Sequence, residues 1–132
     1  MSEAKAPEGR NYTKSHEWWT ADGDRVTVGI TDHAQSELTD IVFVDLPASG
    51  KAVQGGTSML ALESVKTVAD VYAPADGVVV EANGELKNHP ELVNQDPYGK
   101  GWLVRLKLSG TPPADQRLTA EEYRAFVAAG GH

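Results

Sequence analysis

Hydrophobic and polar positions alternate along most of this chain in short runs rather than in helical stripes. Residues 12–19 predict a first strand. Arg25-Val26-Thr27-Val28-Gly29-Ile30, polar and apolar in turn, predicts a second. Between them Ala21-Asp22-Gly23-Asp24 reads as a turn, because Asp-Gly supplies the positive φ that tight hairpins need. Residues 41–46 predict a buried strand stopped by Pro47, and short β segments follow, punctuated by Gly50, Gly55-Gly56, Pro74, Gly77 and Asn83-Gly84. Residues 102–108 alternate again, with Leu103, Arg105 and Lys107 on one face and Trp102, Val104, Leu106 and Leu108 on the other. Short strands and turn signals at this spacing predict a mainly β chain folded as a sandwich or barrel.

Helical signals are few. Thr31 is placed to cap a short helix over residues 32–38, with Asp32 favourable in its first turn. Residues 88–94 suit one helical turn, and Asp96-Pro97-Tyr98-Gly99 a tight turn. The C-terminal helix, 119–129, has the clearest start. Thr119 and Glu122 stand at capping-box spacing, Leu118 and Tyr123 at staple spacing, and Tyr123, Phe126 and Val127 offer one face to the sandwich. Small and polar residues 1–10 predict a flexible tail, leaving 11–132 as a single domain. Residues 53–62 and 67–81 echo each other weakly as two β-rich legs around Lys66. A quasi-twofold sandwich with Lys66 at the connecting hairpin would account for that echo.

Composition narrows the chemistry. A chain of 132 residues is about one domain, large enough to fold without disulfides or a structural metal. It has no cysteine, which removes thiol nucleophiles, thiolate zinc sites and iron–sulfur clusters together. Any redox chemistry must then be carried by an attached group. A net charge of −7 is wrong for nucleic acid and for anionic membranes, and suits steering toward basic partner proteins. No apolar run approaches the roughly 20 residues of a membrane-spanning helix, and the N-terminus shows no export or import signal. The expected location is the cytoplasm, unless a presequence has been removed. The four histidines, His16, His33, His89 and His132, show no metal-ligand spacing, so no metal is expected. No nucleophile–base pair or phosphate-binding glycine loop is present at useful spacing, so no catalytic residue is assigned.

The informative stretch is Ala61-Leu62-Glu63-Ser64-Val65-Lys66-Thr67-Val68-Ala69-Asp70-Val71-Tyr72-Ala73-Pro74. Alternation runs up to Glu63 and resumes at Val68, leaving a short polar hairpin with one lysine, clear of the core and open to a modifying enzyme. Swinging-arm cofactors need such a mount. A lysine carrying an eight-carbon acyl chain reaches roughly 14 Å by ordinary bond lengths. An unmodified, solvated turn lysine is the alternative reading of the same residue.

Several ordered segments go further. They are Tyr12-Thr13-Lys14-Ser15-His16-Glu17-Trp18, Val28-Gly29-Ile30-Thr31-Asp32-His33-Ala34-Gln35, Asp40-Ile41-Val42-Phe43-Val44-Asp45-Leu46-Pro47, Glu63-Ser64-Val65-Lys66, the run from Asp70 to Pro74, and the run from Glu91 to Leu103. Together they resemble the glycine cleavage H-protein family of lipoyl carriers, and more distantly the lipoyl and biotinyl carriers at large. Gly50 before Lys66 and Gly77 after it fit the lipoyl-attachment pattern. Val65 and Thr67 do not match the methionines that flank the lysine of biotinyl carriers. Val65 also stands where 2-oxoacid dehydrogenase lipoyl domains carry an aspartate. Ala69, where the family often has serine, and the bulky Trp19 are small departures.

The resemblance implies a flattened β-sandwich, the barrel-sandwich hybrid, with the lipoyl hairpin at one end. It implies lipoate in amide linkage to Lys66, recognised through Glu63, Ser64 and Val65. It implies a non-catalytic shuttle of the glycine cleavage system. The arm would take an aminomethyl group from pyridoxal-phosphate-dependent glycine decarboxylase to a tetrahydrofolate-dependent aminomethyltransferase, and electrons to the FAD- and NAD-using dihydrolipoamide dehydrogenase. Lipoate-attaching enzymes complete the partners, and the carrier is expected to act as a monomer. The family's loaded arm can fold into a cleft on its own protein. Glu17, Asp70 and His33 are the candidates for that cleft, Glu17 and Asp70 by charge-assisted hydrogen bonds to the amine, His33 by its place on the short helix. His16 is expected to be structural. Two alternatives stay open: a lipoate relay that donates its group to other lipoyl domains, and an interaction module whose Lys66 is never modified.

Overall fold

Alternation of this kind buries one face of each strand, and here two antiparallel sheets close face to face over the buried positions. The computed structural model describes residues 5–131; His132 and the first four residues of the expected tail lie outside them. The strands are β1 (Asn11–Tyr12), β2 (Glu17–Asp22), β3 (Arg25–Ile30), β4 (Ile41–Asp45), β5 (Ala52–Val53), β6 (Ser58–Ser64), β7 (Val68–Tyr72), β8 (Gly77–Ala82) and β9 (Val104–Leu108). The α-helices are α1 (Asp32–Leu38), α2 (Leu92–Gln95) and α3 (Ala120–Ala128), with single 3-10 turns at Gly84–Lys87 and Ala114–Gln116. Six strands form one sheet in the order β1-β2-β3-β9-β8-β5, and β4-β6-β7 form the other. The fold is a mainly β sandwich whose sheets remain open at their edges.

The main core lies between the sheets. Val26, Val28 and Ile30 of β3, Val104 and Leu106 of β9 and Val79 of β8 meet Ile41 and Val44 of β4, Leu60 and Leu62 of β6 and Val71 of β7. A second cluster of Ala6, Tyr12, Trp18, Ala120 and Tyr123 seats α3 on the outer side of β1 and β2. Neighbouring Trp19 and Trp18 point to the first and second cluster respectively, as a period of two requires. Gly29 pairs with Trp18, and a Cβ there would stand 2.6 Å from the indole nitrogen. Only glycine lets that ring lie across β3.

The hairpin between β6 and β7 pairs Glu63 with Val68 and Ser58 with Tyr72, while β5 pairs with β8. The two legs that echo in sequence thus pair with each other around Lys66.

The helix over residues 32–38 forms with Thr31 as its cap, and α3 carries the capping box of Thr119 and Glu122. Five expectations change. The first strand is broken, because residues 13–16 make a turn in which His16 takes φ +69° and Glu17 opens a new strand. The strand at 41–46 is only half buried: its outer face exposes Val42 and Phe43, with a register shift between Ile41 and Phe43. The helical turn expected at 88–94 forms later, as α2 at Leu92–Gln95, and a separate 3-10 turn capped by Asn83 precedes the expected segment. Leu103 is fully buried ahead of β9, so Trp102 turns outward beneath the Arg105 guanidinium, 4.0 Å from its ring. Residues 5–10, expected as part of the tail, lie against the body. Ala6 is buried, Arg124 donates to the Ala6 carbonyl at 2.7 Å, and Tyr12 donates to the Pro7 carbonyl at 2.6 Å.

Candidate functional site

Ser64 builds the hairpin tip. Its hydroxyl accepts from the backbone N–H of Lys66 (3.1 Å) and of Thr67 (3.0 Å), and its own N–H donates to the Thr67 carbonyl at 2.8 Å. A serine turn of this type fixes four residues without needing a glycine. The Val65 N–H donates to the Asp40 carbonyl at 3.0 Å, which ties the tip to the loop after α1. Lys66 stands exposed on this mount, and its ammonium reaches to 3.5 Å from the Glu37 carbonyl on α1. Among the described residues no carboxylate pairs with it. Val65 and Val68 flank it at 68% and 61% exposure, unusual for valine and free for contact with another protein. Glu63 is also exposed, on the outer face beside Phe43 and Val68.

Beside the tip, between α1 and β7, opens a cleft of about 420 Å³. Ile30, Ala34, Leu38, Leu62 and Val71 give it apolar walls, and Ala69 sits in its lining. Glu17, His33 and Asp70 all line it, so the structure brings the three cleft candidates together; Ser15, His16 and Glu37 complete the polar part. Lys66, Glu63, Ser64 and Val65 stay outside on the hairpin.

Glu17 is the buried charge of the site, 2% exposed. The Thr13 hydroxyl donates to its Oε1 at 2.6 Å, the Ser15 hydroxyl donates to the same oxygen, and the Tyr72 N–H donates to Oε2 at 3.2 Å. Desolvation pushes its pKa up from the ordinary carboxylate value, and these hydrogen bonds offset part of the rise. Glu17 thus joins β2 of the large sheet to the end of β7 in the small one. Asp70 remains exposed and accepts from the Ser58 hydroxyl at 3.0 Å. The Nε2 of His33 lies 3.7 Å from Glu37 Oε1, one helical turn away. The His16 and His33 rings are 4.7 Å apart, which makes His16 part of the cleft lining as well as of the core. Ser15 and Glu37 are cleft residues that the sequence alone did not flag. The short spacing of Thr13 and Ser15 before a carboxylate was the available signal for the first; nothing local marked the second.

The glycine cleavage H-protein family model matches residues 10–130. The glycine cleavage system H protein of Coprothermobacter proteolyticus is 50% identical over 124 residues, covering 93% of this chain and 98% of that protein. That of Thermus thermophilus is 52% identical over 121 residues, covering 92% and 94%. The crystal structure of a glycine cleavage system H protein from Mycobacterium marinum superposes with a TM-score of 0.83 at 42% identity, covering 94% of this chain and 98% of that one. With a match over nearly all its length in sequence and in fold, the chain belongs to the glycine cleavage H-protein family, the lipoate-bearing shuttles of the glycine cleavage system.

Proposed function

We propose that Lys66 is the attachment point, its Nζ joined to the lipoyl carboxyl in an amide, and that the chain works as the non-catalytic carrier between the enzymes of the system. The observation that carries this reading is the exposed Lys66 ammonium, with no carboxylate partner among the described residues, at a hydrogen-bonded hairpin tip beside an apolar cleft. When bound, the lipoyl group supplies the redox-active disulfide that a cysteine-free chain lacks. The surroundings suit it. Ile30, Ala34, Leu38, Leu62 and Val71 match the methylenes of an acyl arm, and the polar groups lie at hand for an amine at its end.

Each residue then has a task. Ser64 keeps the tip rigid, so that an arm moves while its mount does not. Glu63 and Val65 present the surface that an acylating enzyme reads. Glu17 and Asp70 are placed to pair with an ammonium in the cleft. Burial makes an ionised Glu17 costly, so a cation beside it regains part of that cost. His33 borders the same space, and the apolar walls exclude water from it.

The partners in this reading are glycine decarboxylase, aminomethyltransferase, dihydrolipoamide dehydrogenase and the lipoate-attaching enzymes, met in the cytoplasm. The acidic net charge favours partners with basic rims around their entrances. The test is the intact mass after incubation with lipoate, ATP and a lipoate ligase, beside Lys66→Ala. A gain of one lipoyl group in the native chain and none in the variant is expected. No gain, or a gain that survives the substitution, would reduce the hairpin to an interaction surface.

A further inference from the structure

Thr39 closes α1 in a conformation that a β-branched residue rarely takes. Its φ is +63° and its ψ −152°, a region close to reserved for glycine, because a Cβ crowds the backbone there. Its N–H still ends the helix by donating to the Gln35 carbonyl at 3.0 Å. The residue is exposed, so packing does not hold it in place. Strain of this kind persists only where other bonds over-determine the backbone.

One side chain supplies them. Asn94 of α2 donates from Nδ2 to the Thr39 carbonyl at 2.8 Å and to Gln35 Oε1 at 3.0 Å, and its Oδ1 accepts from the Ile41 N–H at 2.9 Å. Both amide protons and the oxygen are used. The two backbone partners also decide which end is which. Turning the amide over would set its amino group against the Ile41 N–H and its oxygen against the Thr39 carbonyl. These bonds bracket Asp40, the residue between Thr39 and Ile41. Asp40 in turn anchors the hairpin, since its carbonyl accepts from the Val65 N–H at 3.0 Å, one residue before Lys66. We propose that Asn94 is a positioning residue of the Lys66 mount: it holds Thr39 in its strained turn so that the Asp40 carbonyl meets the Val65 N–H and fixes the direction of the hairpin tip. Its importance for acylation rests on Lys66 being the acylated residue.

The clamp has a signature that general support of the fold does not. Released from Asn94, Thr39 relaxes toward negative φ, and the peptide plane after it turns, carrying Asp40 with it. The tip keeps its own shape, because the Ser64 hydroxyl bonds to Lys66 and Thr67 do not involve Asp40. Ser64 thus shapes the tip from within, and Asn94 sets where the tip sits on the body. Without the clamp Lys66 points over a wider range of directions. An acylating enzyme must then order the tip as it binds, which weakens binding and leaves the bound complex as reactive as before.

Amide hydrogen exchange of the full, unacylated chain tests the clamp. In Asn94→Ala the Val65 amide should exchange faster by on the order of fivefold, the share of one hydrogen bond. Lys66, Thr67 and the distant Tyr12 amide, bonded to the Leu118 carbonyl, should keep their rates. Adding Thr39→Gly should return part of the Val65 protection, because glycine holds this φ and ψ without a Cβ to strain. With lipoate ligase, Asn94→Ala should raise KM for the carrier several-fold at unchanged kcat. Four results overturn the clamp: an unchanged Val65 rate, an acceleration shared equally by Lys66, Thr67 and Tyr12, a double variant as fast as Asn94→Ala, or an unchanged KM. Should Asn94→Ala fail to fold, Asn94→Asp keeps the size and the acceptor for Ile41 but loses the donor to Thr39, and the same pattern is expected. A wild-type chain that takes no lipoyl group would fail the attachment reading before any variant is made, and the exchange rates would still decide the clamp.

Discussion

Glu17 shows how one residue can join structure and chemistry. Its carboxyl is desolvated enough for its pKa to rise above the ordinary 4.5. The folded chain then holds that proton more tightly than the unfolded chain does. The sign follows: the stability from this group is fully present below the unfolded value and is lost as pH rises through the higher folded value. Glu17→Gln should flatten that part of the profile. The wild-type advantage over the variant is expected to shrink as pH rises above the ordinary carboxylate value of 4.5, read by urea denaturation. A difference that does not vary with pH would mean that the carboxyl ionises with equal ease folded and unfolded. Ser64 acts on a smaller scale, since its hydroxyl accepts two backbone N–H groups at the tip. Ser64→Ala should speed amide exchange at Lys66 and Thr67 while changing global stability by no more than about 1 kcal/mol. Unchanged exchange at those two amides would remove Ser64 as the brace of the mount.

At the scale of elements, the two capped helices and the hairpins follow from local chemistry. Thr119 accepts from the Glu122 N–H at 3.1 Å, and the Glu122 carboxylate returns the bond to the Thr119 N–H at 2.9 Å. Thr119→Ala should cost about 1 kcal/mol, read as a lower denaturation midpoint at unchanged slope. A loss confined to α3, with the sheets intact, would show that the helix melts independently of the sandwich. β4 illustrates the opposite case. Its apolar run reads as buried, yet it faces the core with Ile41 and Val44 only, because the register shift beside Phe43 turns Val42 and Phe43 outward. A continuous apolar run cannot reveal which of its residues a bulge will expose.

For the molecule as a whole, the core and the cleft share residues. Leu62 is 1% exposed, lies between the sheets, and lines the cleft behind the hairpin. Leu62→Ala should therefore cost about 2–5 kcal/mol by chemical denaturation, through lost burial and the void left behind. A loss below about 1 kcal/mol would mean that the sheets close over the gap. The segment before β1 belongs to this scale too. Residues 5–10 are polar and small enough to predict a tail, and nothing within them requires contact. They dock because Arg124 reaches the Ala6 carbonyl and the Glu8 carboxylate, and Tyr12 and Tyr98 donate to carbonyls of Pro7 and Lys5.

What the sequence determined by itself is whatever depends on neighbours a few residues apart. The Thr31 and Thr119 caps, the turn at Gly23 and the tip of the lysine hairpin are of this kind, because their hydrogen bonds close within three or four residues, and the predominance of β structure follows from the local alternation of polar and apolar positions. The list of cleft candidates was legible only through family resemblance. Their meeting was decided by the tertiary structure, which places Glu17, His33 and Asp70 around one space from β2, α1 and β7. The desolvation of Glu17, the break after Tyr12 that lets Thr13 and Ser15 reach its carboxylate, and the Tyr123 bonds to His16 and Thr31 were decided there as well. Tyr123 and His16 lie 107 positions apart. No local pattern encodes such a contact, since its energy appears only when the sheets have closed and water has left the space between them.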